Sequence, residues 1–339
     1  MISKARFILS RKKAVEQYGK LKEYADIVSY SNKTNIEVGK VLHELTDSCF
    51  SVHSTEDFSH INSERIWYFP QSWNDKDIEA IFSKGVTRFV IDNKNDLAAL
   101  ENFLKKSKKK AQLLLRMKLK EHTIHTGKHF VFGMYSSVVN DIISKIDKRY
   151  FEKVGIHMHR KTQNVSEWSL KEELEESITC WDKIDFINIG GGIPAEYKNF
   201  RVSVIDNVLS KIKDLKSWLN SKNVKLIIEP GRYIAAPSVK LEATIINMYD
   251  DNIVLDCSIF NSALDTWIAN IRLMIEGELE EGEAFTIKGC TPDSADILRY
   301  KVYLKKPKIG DKIVFLNAGA YNFTTDFCNL PKIPTVLEK

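Results

Sequence analysis

The sequence of 339 residues contains no apolar segment long enough to cross a lipid bilayer. Its first residues carry scattered charges, such as Lys4, Arg6 and Arg11, where a signal peptide would have an uninterrupted apolar segment. We therefore expect a cytoplasmic protein that has no membrane partner.

Cysteine is scarce, and the five cysteines that are present are odd in number and far apart in the sequence. This spacing indicates neither a disulfide framework nor a zinc motif, so we expect free thiols. His122, His125 and His129 have a spacing that could bind a metal from a helix, but Thr126-Gly127 interrupts any helix there. We interpret that segment as a loop and expect no metal.

The sequence contains 50 lysines and arginines and 45 aspartates and glutamates, so its net charge is +5 and neither sign of charge dominates. The dense basic run from Lys105 to Lys110 contains no aromatic residues that could stack on bases. We interpret this run as the exposed end of a helix and expect no nucleic-acid partner.

The chain does contain a regular alternation of short β-rich runs and segments with helical spacing, and its 43% of hydrophobic residues can form a large core. The β-rich runs are Ile27–Ser31, Ser48–His53, Ile66–Phe69, Arg88–Ile91, Gln112–Met117, Val154–His159, Asp185–Ile189 and Lys225–Glu229. The helical segments are Glu37–Leu45, Glu56–Ile61, Asp75–Ser83, Asn95–Lys105, Ser136–Ile146, Leu170–Trp181 and Val204–Leu219. Eight strands that alternate with helices predict a (β/α)8 barrel, in which functional residues gather at the carboxyl ends of the strands.

After Tyr233 the alternation stops, and short strands follow one another without helices. These strands are Val239–Met248, Asn252–Leu255, Ala284–Lys288, Arg299–Leu304 and Lys312–Leu316. They predict a mostly antiparallel β domain, to which residues Ala5–Leu9 could add a strand. We therefore expect a barrel domain over residues 11–234 and a β domain over residues 235–339 together with residues 1–10.

The ends of the predicted strands bring chemically complementary groups to the rim of the barrel. Three glycines that follow the seventh strand could present backbone N–H groups to a phosphate, although such a triplet could also be a simple turn. They are Gly190, Gly191 and Gly192. The side chains at the other strand ends are Lys33, Arg116, His159, Glu229 and Arg232.

This set suits an aldehyde cofactor that carries a phosphate and a ring nitrogen. The amine of Lys33 would bind the aldehyde carbon, and the glycines together with Arg232 would hold the phosphate. The imidazole of His159 would stack on the ring, while Glu229 would keep the ring nitrogen protonated so that the ring can accept electrons.

Four segments of the predicted barrel also carry recognisable motifs in a specific order. They are Tyr30-Ser-Asn-Lys33-Thr-Asn, Gly155-Ile-His-Met-His159, Gly190-Gly-Gly192 and Glu229-Pro-Gly-Arg232-Tyr. These motifs resemble those of the pyridoxal-phosphate-dependent decarboxylases of the alanine racemase fold, or fold type III, a family that includes ornithine, diaminopimelate and arginine decarboxylases. The resemblance implies that pyridoxal 5'-phosphate is the cofactor and that Lys33 carries it, with Arg116 and Gly231 among the residues around it.

The resemblance continues in the C-terminal part of the chain. Three segments match the family in order: Phe260-Asn261-Ser262, Thr291-Pro-Asp293-Ser-Ala-Asp296 and Asn317-Ala-Gly-Ala-Tyr321. It implies that Tyr321 contacts the phosphate and that Asp293 binds the substrate. It also implies a homodimer in which the loop around Asp293 reaches the barrel of the partner subunit, so that the two active sites are shared.

The sequence departs from the family pattern mainly at substrate positions. Pro292 stands where the family has a proton-donating cysteine, so Cys290, two residues upstream, becomes a candidate for the catalytic acid. The alternative is that Cys290 is only a small buried residue and that water or Lys33 donates the proton. Lys161 replaces a glycine of the family pattern. Of the family's Tyr-Asp pair only Asp265 remains, and we expect this residue to bind substrate. The substrate therefore stays open between a diamino acid and a larger amino acid that bears an aminocarboxypropyl group.

We predict an enzyme that removes the α-carboxylate of an amino acid and releases an amine. Two alternatives remain, a catalytically inactive decarboxylase-like regulator and an amino-acid racemase of the same fold. The joint presence of Lys33, the three glycines, Glu229 and Arg232 favours an enzyme over a regulator. The C-terminal segments favour a decarboxylase over a racemase.

Overall fold

The computed structural model of the protein describes residues 4–119, 132–201, 203–322 and 324–338. His122, His125 and His129 lie outside these described residues. Within the described ranges, no helix is long and apolar enough to cross a membrane, and no group of three or more side chains is placed to hold a metal ion. The cytoplasmic location stays a prediction.

The chain begins with strand β1 (Arg6–Leu9) and helix α1 (Arg11–Leu21) and then enters a closed barrel of eight parallel strands. The barrel strands are β2 (Ile27–Ser31), β3 (Cys49–Val52), β4 (Ile66–Tyr68), β5 (Arg88–Ile91), β6 (Ala111–Arg116), β7 (Phe151–His157), β8 (Phe186–Asn188) and β9 (Lys225–Ile228). They pair in chain order, and β9 closes the barrel by pairing with β2. The predicted (β/α)8 barrel is thus confirmed.

Helices follow most of the barrel strands and cover the outside of the barrel. They are α2 (Ile36–Leu45), α3 (Asp75–Ser83), α4 (Lys94–Ser107), α5 (Ser136–Lys145), α6 (Lys171–Ser177), α7 (Ile205–Ser221) and α8 (Arg232–Ser238). Asparagine side chains start three of them, because Asn35, Asn74 and Asn93 accept hydrogen bonds from backbone N–H groups of the first turn.

Two predicted helices are shorter than their sequence spacing suggested. The segment after β3 forms only the 3-10 turn Thr55–Ser59, and α6 ends at Ser177 instead of continuing to residue 181. The side chain of Asn140 accepts a hydrogen bond from Thr179 N at 3.0 Å, so this N–H group is not available to prolong the helix. The next turn, Trp181–Lys183, is a separate 3-10 helix.

The interior of the barrel is filled by apolar side chains from five of its strands. Trp67 and Phe186 meet edge to face, with ring centroids 6.0 Å apart, and the same cluster includes Val90, Leu114 and Ile227. Because this layer packs the barrel as a solid core, polar chemistry is left to the residues at and beyond the strand ends.

The C-terminal part forms an eight-stranded sheet that is mostly antiparallel. Its strands are β1 together with β10 (Val239–Tyr249), β11 (Asn252–Leu255), β12 (Met274–Ile275), β13 (Ala284–Lys288), β14 (Ile297–Tyr303), β15 (Lys312–Leu316) and β16 (Thr335–Leu337), and its short helices are α9 (Ile259–Ser262) and α10 (Asp265–Ile268). Strand β1 joins this sheet by pairing antiparallel with β10. The division of the chain at residue 234 stays a prediction.

Strands β12 and β16 were not predicted from the sequence. The first has only two residues, and all three residues of β16 are exposed, so neither shows the alternation of apolar and polar residues that marks a half-buried strand. Strand β16 is held by its parallel pairing with β1, a contact between the two ends of the chain.

The sheet packs so closely on the barrel at Gly319 that a single added methyl group should destabilise the protein. A Cβ atom at Gly319 would lie 1.9 Å from the carbonyl oxygen of Ala235 in α8. We expect Gly319→Ala to lower the free energy of unfolding by roughly 1–3 kcal/mol, since overpacking forces the backbone to move. Urea unfolding at equilibrium measures this change.

The matched control is Gly19→Ala in α1, where nothing lies within 4 Å of the added Cβ. Alanine favours a helix over glycine by about 0.5–1 kcal/mol, so this variant should be slightly more stable. If both variants unfolded at the same urea concentration, the close approach at Gly319 would have no energetic consequence.

Candidate active site

A cavity of about 640 Å³, counted to its open mouth, lies at the carboxyl ends of the barrel strands. Its walls include many of the predicted site residues, namely Lys33, Arg116, His159, Gly191, Gly192, Glu229, Gly231, Arg232 and Tyr321. They also include residues that sequence analysis did not single out, namely Ser31, His53, Phe69, His157, Thr162 and Ile193.

Lys33 is presented by the 3-10 turn Asn32–Thr34, which directly follows β2. The turn is held from both sides, because Ser31 N donates to the carbonyl of Pro230 at 3.1 Å and Tyr321 N donates to the carbonyl of Thr34 at 3.0 Å. Among the described residues, none forms a hydrogen bond or ion pair with Lys33 Nζ. The amine is therefore exposed to the cavity and available for chemistry.

The three glycines form a tightly packed turn. Gly190 and Gly192 have φ angles of 69° and 102°, which L side chains rarely adopt. A Cβ at Gly191 would lie 2.5 Å from the carbonyl oxygen of Glu229, and one at Gly192 would lie 2.3 Å from that of Lys161. Neighbouring backbone atoms therefore come so close that a side chain would clash at these positions. The triplet is a tightly packed turn and not a loosely ordered one.

The carboxylate of Glu229 is buried and accepts three hydrogen bonds. The donors are Asn188 Nδ2 at 2.8 Å, Ser51 Oγ at 2.9 Å and His157 Nε2 at 3.3 Å. Burial alone would raise the pKa of Glu229, but the His157 imidazole together with the Asn188 and Ser51 donors lowers it to about 2. Glu229 is therefore ionised at neutral pH.

Three imidazoles lie near this carboxylate, and burial lowers the pKa of each of them. Burial is the main cause that lowers the pKa of His157, that of His159 to about 3 and that of His53 to about 4. The ring of His53 stacks on Phe69 at 4.7 Å, and Phe69 in turn meets His157 edge to face at 5.3 Å. The aromatic ring of Phe69 therefore fixes two of the three imidazoles.

The sequence did contain signals for the two imidazoles that were missed. His157 stands two residues before His159, so the period of two in a strand predicts that both point in the same direction. His53 is the last residue of the second predicted β-rich run, Ser48–His53, and the end of that strand lies at the barrel mouth. Neither position belongs to a recognisable motif, so neither was predicted as a site residue.

Arg232 lines the cavity with Tyr321, whose ring lies 4.7 Å from the guanidinium carbon. The guanidinium forms a two-pronged ion pair with Asp265, with Nη2 3.0 Å from Oδ1 and Nη1 bonded to Oδ2. Asp265 was predicted to bind substrate, but it is not among the described residues that line the cavity. It lies behind Arg232 instead.

Cys290 and Asp293 are both exposed, and neither lines the cavity of its own chain. Their loop is held by Asp296, whose carboxylate accepts hydrogen bonds from Ile259 N at 2.8 Å and from Thr291 Oγ1 at 2.7 Å. Although the residue as a whole is exposed, partial desolvation of its thiol and the nearby Asp296 carboxylate raise the pKa of Cys290, which favours the protonated form. The loop therefore presents an acid and a carboxylate on the surface of the chain.

Comparisons with known proteins agree with this geometry. A family model described as the pyridoxal binding domain of pyridoxal-dependent decarboxylases matches residues 34–236. A diaminopimelate decarboxylase of Aquifex aeolicus is 24% identical over 325 residues, which cover 88% of this chain and 76% of that protein. A probable ornithine decarboxylase of Dictyostelium discoideum is 24% identical over 282 residues, which cover 73% of this chain and 59% of that protein.

A solved structure with a similar fold is diaminopimelate decarboxylase from Helicobacter pylori complexed with L-lysine. It superposes with a TM-score of 0.85 at 19% sequence identity, over 99% of this chain and 92% of the other. At this identity the likeness shows the fold. The family match begins one residue after Lys33, so the role of that lysine rests on its place in the cavity.

The neutral imidazoles predict how the protein responds to acid. The folded pKa values of His159 and His53, about 3 and 4, lie below the value near 6.5 of an unfolded chain. Their contribution to stability is therefore complete above pH ~6.5 and is lost as the pH falls towards the folded values. We expect the ring C–H signals of both residues, followed by NMR, to show no titration between pH 8 and pH ~5.

Assignment would come from His53→Gln and His159→Gln, and the urea-unfolded protein gives the reference titration. Each variant should also lose less stability than the parent protein when the pH falls from about 6.5 to about 5. A midpoint near 6.5 for either ring in the folded protein would contradict the burial described above.

Proposed function

Because the chain belongs to the family of pyridoxal-dependent decarboxylases, we propose that it removes the α-carboxylate of an amino acid as CO₂ at the barrel mouth. This membership confirms the family predicted from the motifs. The observation that carries the proposal is the convergence of an exposed lysine amine, an ionised buried carboxylate and a glycine turn on one cavity. They are Lys33, Glu229 and, from the glycine turn, Gly191 and Gly192, while Gly190 lies outside the cavity lining.

The residues present fit pyridoxal phosphate. Its aldehyde requires an amine, which Lys33 offers, and its phosphate requires N–H donors in a turn without Cβ atoms, which the glycines offer. Its ring nitrogen requires an anion, and Glu229 is ionised and held in position by three hydrogen-bond donors. His159, neutral because it is buried, offers a flat ring against which the cofactor can pack.

Pyridoxal phosphate supplies an electron sink that accepts the electron pair left behind when the carboxylate departs as CO₂. Glu229 favours this step because its negative charge stabilises a proton on the ring nitrogen. A proton must then be delivered to the α-carbon, and we assign this delivery to Cys290, whose raised pKa keeps the thiol protonated. The amine of Lys33 would hold the aldehyde of the cofactor.

The proposed substrate is a diamino acid or a larger amino acid with an aminocarboxypropyl group. Both carry an amine distant from the reacting carbon, and the exposed carboxylate of Asp293 can pair with such an amine. Asp293 is held in place because its Oδ1 accepts a hydrogen bond from Ala295 N at 2.7 Å.

Since Cys290 and Asp293 lie outside the cavity of their own chain, we propose a homodimer in which each loop completes the site of the partner subunit. The surface near this loop supports the proposal, because Trp267 is 58% exposed and Ile268 is 71% exposed. Phe327, packed on Phe260 together with Trp267, is 42% exposed. Exposed apolar groups of this size are typical of a protein contact surface.

The activity is tested by measuring CO₂ released from a panel of amino acids by the purified protein with added pyridoxal phosphate. The panel should include ornithine, lysine, diaminopimelate and amino acids with an aminocarboxypropyl group on nitrogen. We expect release from at least one of them and a loss of at least about 10³-fold in Lys33→Ala, which lacks the nucleophilic amine. Borohydride reduction and peptide mapping should place the pyridoxyl group on Lys33.

Lys40→Ala in α2, where Lys40 pairs on the surface with Glu37, is the matched control and should keep full activity. Chiral analysis of the same reactions separates the alternatives. D-amino acid without CO₂ would indicate a racemase, and neither product from any substrate would favour an inactive regulator. Labelling of another lysine would remove Lys33 from its assigned role.

The shared site predicts complementation between two inactive chains. We expect Lys33→Ala and Asp293→Ala homodimers to be poorly active, while a mixture recovers up to about one quarter of the parent activity, because half of the chains form heterodimers with one intact site. Subunit exchange is followed with differently tagged chains. Confirmed exchange without recovery would mean that each site is built within one chain.

A further inference from the structure

The imidazole of His53 stands beside the lysine that would carry the cofactor. Strands β2 and β3 pair in parallel, with Ser31 opposite Ser51. Lys33 and His53 each follow this pair by two residues, so they leave neighbouring strands at the same height of the barrel mouth. Both side chains line the cavity, which places them next to each other on its wall.

The ring of His53 is held in one orientation. It stacks on Phe69, with ring centroids 4.7 Å apart and 14° between the planes, and Phe69 meets His157 edge to face at 5.3 Å. Among the described residues, none forms a hydrogen bond with either ring nitrogen of His53. The two nitrogens can therefore bond a ligand in the cavity from a fixed position.

The charge state of the ring suits a hydrogen-bond donor. His53 is exposed at the cavity wall, but the recessed wall removes enough water to lower its pKa. The Lys33 ammonium lowers the pKa further and the Glu229 carboxylate raises it. His157 and Arg116 add smaller decreases, and the pKa is about 4. The ring is therefore neutral at pH 7, where it is a poor base but still carries one N–H donor.

The order of the barrel strands determines which part of the cofactor faces His53. Around the barrel, β8, β9, β2 and β3 are successive neighbours. The glycine turn follows β8, Lys33 follows β2 and His53 follows β3. The aldehyde of pyridoxal phosphate is attached to a ring carbon that lies between the carbon with the phosphate arm and the carbon with the ring oxygen. With the phosphate at the glycines and the aldehyde at Lys33, the ring oxygen faces β3.

We propose that His53 is a further cofactor-binding residue, which donates its imidazole N–H to the ring oxygen of pyridoxal phosphate. The inference rests on the proposed function, in which this cofactor occupies the cavity. The ring oxygen is a phenol oxygen that binds a donor most strongly when it is ionised. The neighbouring wall residue Phe69 is apolar and cannot supply the hydrogen bond. Glu229 would then hold the ring at its nitrogen and His53 would hold it at its oxygen.

The test compares two ligands by calorimetry on the cofactor-free protein, namely pyridoxal phosphate and an analogue that lacks only the ring oxygen. His53→Phe keeps a flat ring that can stack on Phe69 but has no N–H group. We expect this variant to bind pyridoxal phosphate about tenfold more weakly than the parent protein, because a hydrogen bond to a charged oxygen is lost. Its affinity for the analogue should stay within about twofold of the parent.

Two results of this comparison would overturn the inference. An equal loss of affinity for both ligands would mean that His53 acts through the shape of the cavity and not through the ring oxygen. Unchanged affinity for pyridoxal phosphate in His53→Phe would mean that the imidazole does not contact the cofactor.

His43→Phe is the matched control. His43 also lies against a phenylalanine, Phe50, with ring centroids 6.0 Å apart, but it is outside the described lining of the cavity. This variant should bind pyridoxal phosphate within about twofold of the parent, and a tenfold loss here would remove the specific role of His53. Arg116→Gln tests the other donor on this side of the cavity. If that variant, and not His53→Phe, discriminated between the two ligands, the ring oxygen would belong to Arg116.

A measurement on the parent protein keeps the inference testable if His53→Phe does not fold. With nitrogen-15 in the histidine rings, the signals of His53 should move further on binding pyridoxal phosphate than on binding the analogue, since only the former has the oxygen. An equal change with both ligands would contradict the proposed hydrogen bond.

These measurements separate the inference from the proposed function, because none of them requires decarboxylation. Absence of CO₂ from every substrate, together with a selective loss of pyridoxal phosphate affinity in His53→Phe, would defeat the activity and leave the role of His53 standing. Release of CO₂ together with an affinity that does not depend on the ring oxygen would keep the activity and defeat the role of His53.

Discussion

The carboxylate of Glu229 is the contact on which the rest of the site depends. It lies just beyond β9 and accepts hydrogen bonds from residues of β3, β7 and β8, so one buried anion ties together the carboxyl ends of four barrel strands. A buried charge is tolerated only when it is well bonded, and here three donors meet that condition. The requirement explains why three fully buried strand positions, Ser51, His157 and Asn188, carry polar side chains.

Residues of the β domain form part of the wall of the cavity at the barrel mouth. Its segment after β15 reaches the lysine turn, where the side-chain amide of Asn35 donates to the carbonyl of Gly319 at 2.9 Å. The backbone of Tyr321 adds the contact to Thr34, and its ring covers the guanidinium of Arg232. The cavity wall thus comes from residues far apart in the sequence, and its shape depends on how the two parts pack.

Two buried ion pairs at this junction have different consequences. Glu278, which pairs with Arg299 of β14 and with Lys198 of the barrel at 3.0 Å, joins the two parts and touches no described wall of the cavity. Asp265 also joins the β domain to the barrel, but its partner Arg232 is a wall of the cavity. The same interaction therefore stabilises the fold in one place and holds a residue of the cavity wall in the other.

The sequence by itself determined the barrel, since periods of 2 and 3.6 depend only on local chain geometry. It also identified Lys33, Glu229 and the glycines, because strand ends of a parallel barrel meet at one rim. Periodicity says which way a side chain points, but it does not say which residue from another element lies opposite. Tertiary packing alone therefore decided that Asp265 faces Arg232, that Phe69 fixes His53, and that Cys290 and Asp293 lie outside the cavity of their own chain.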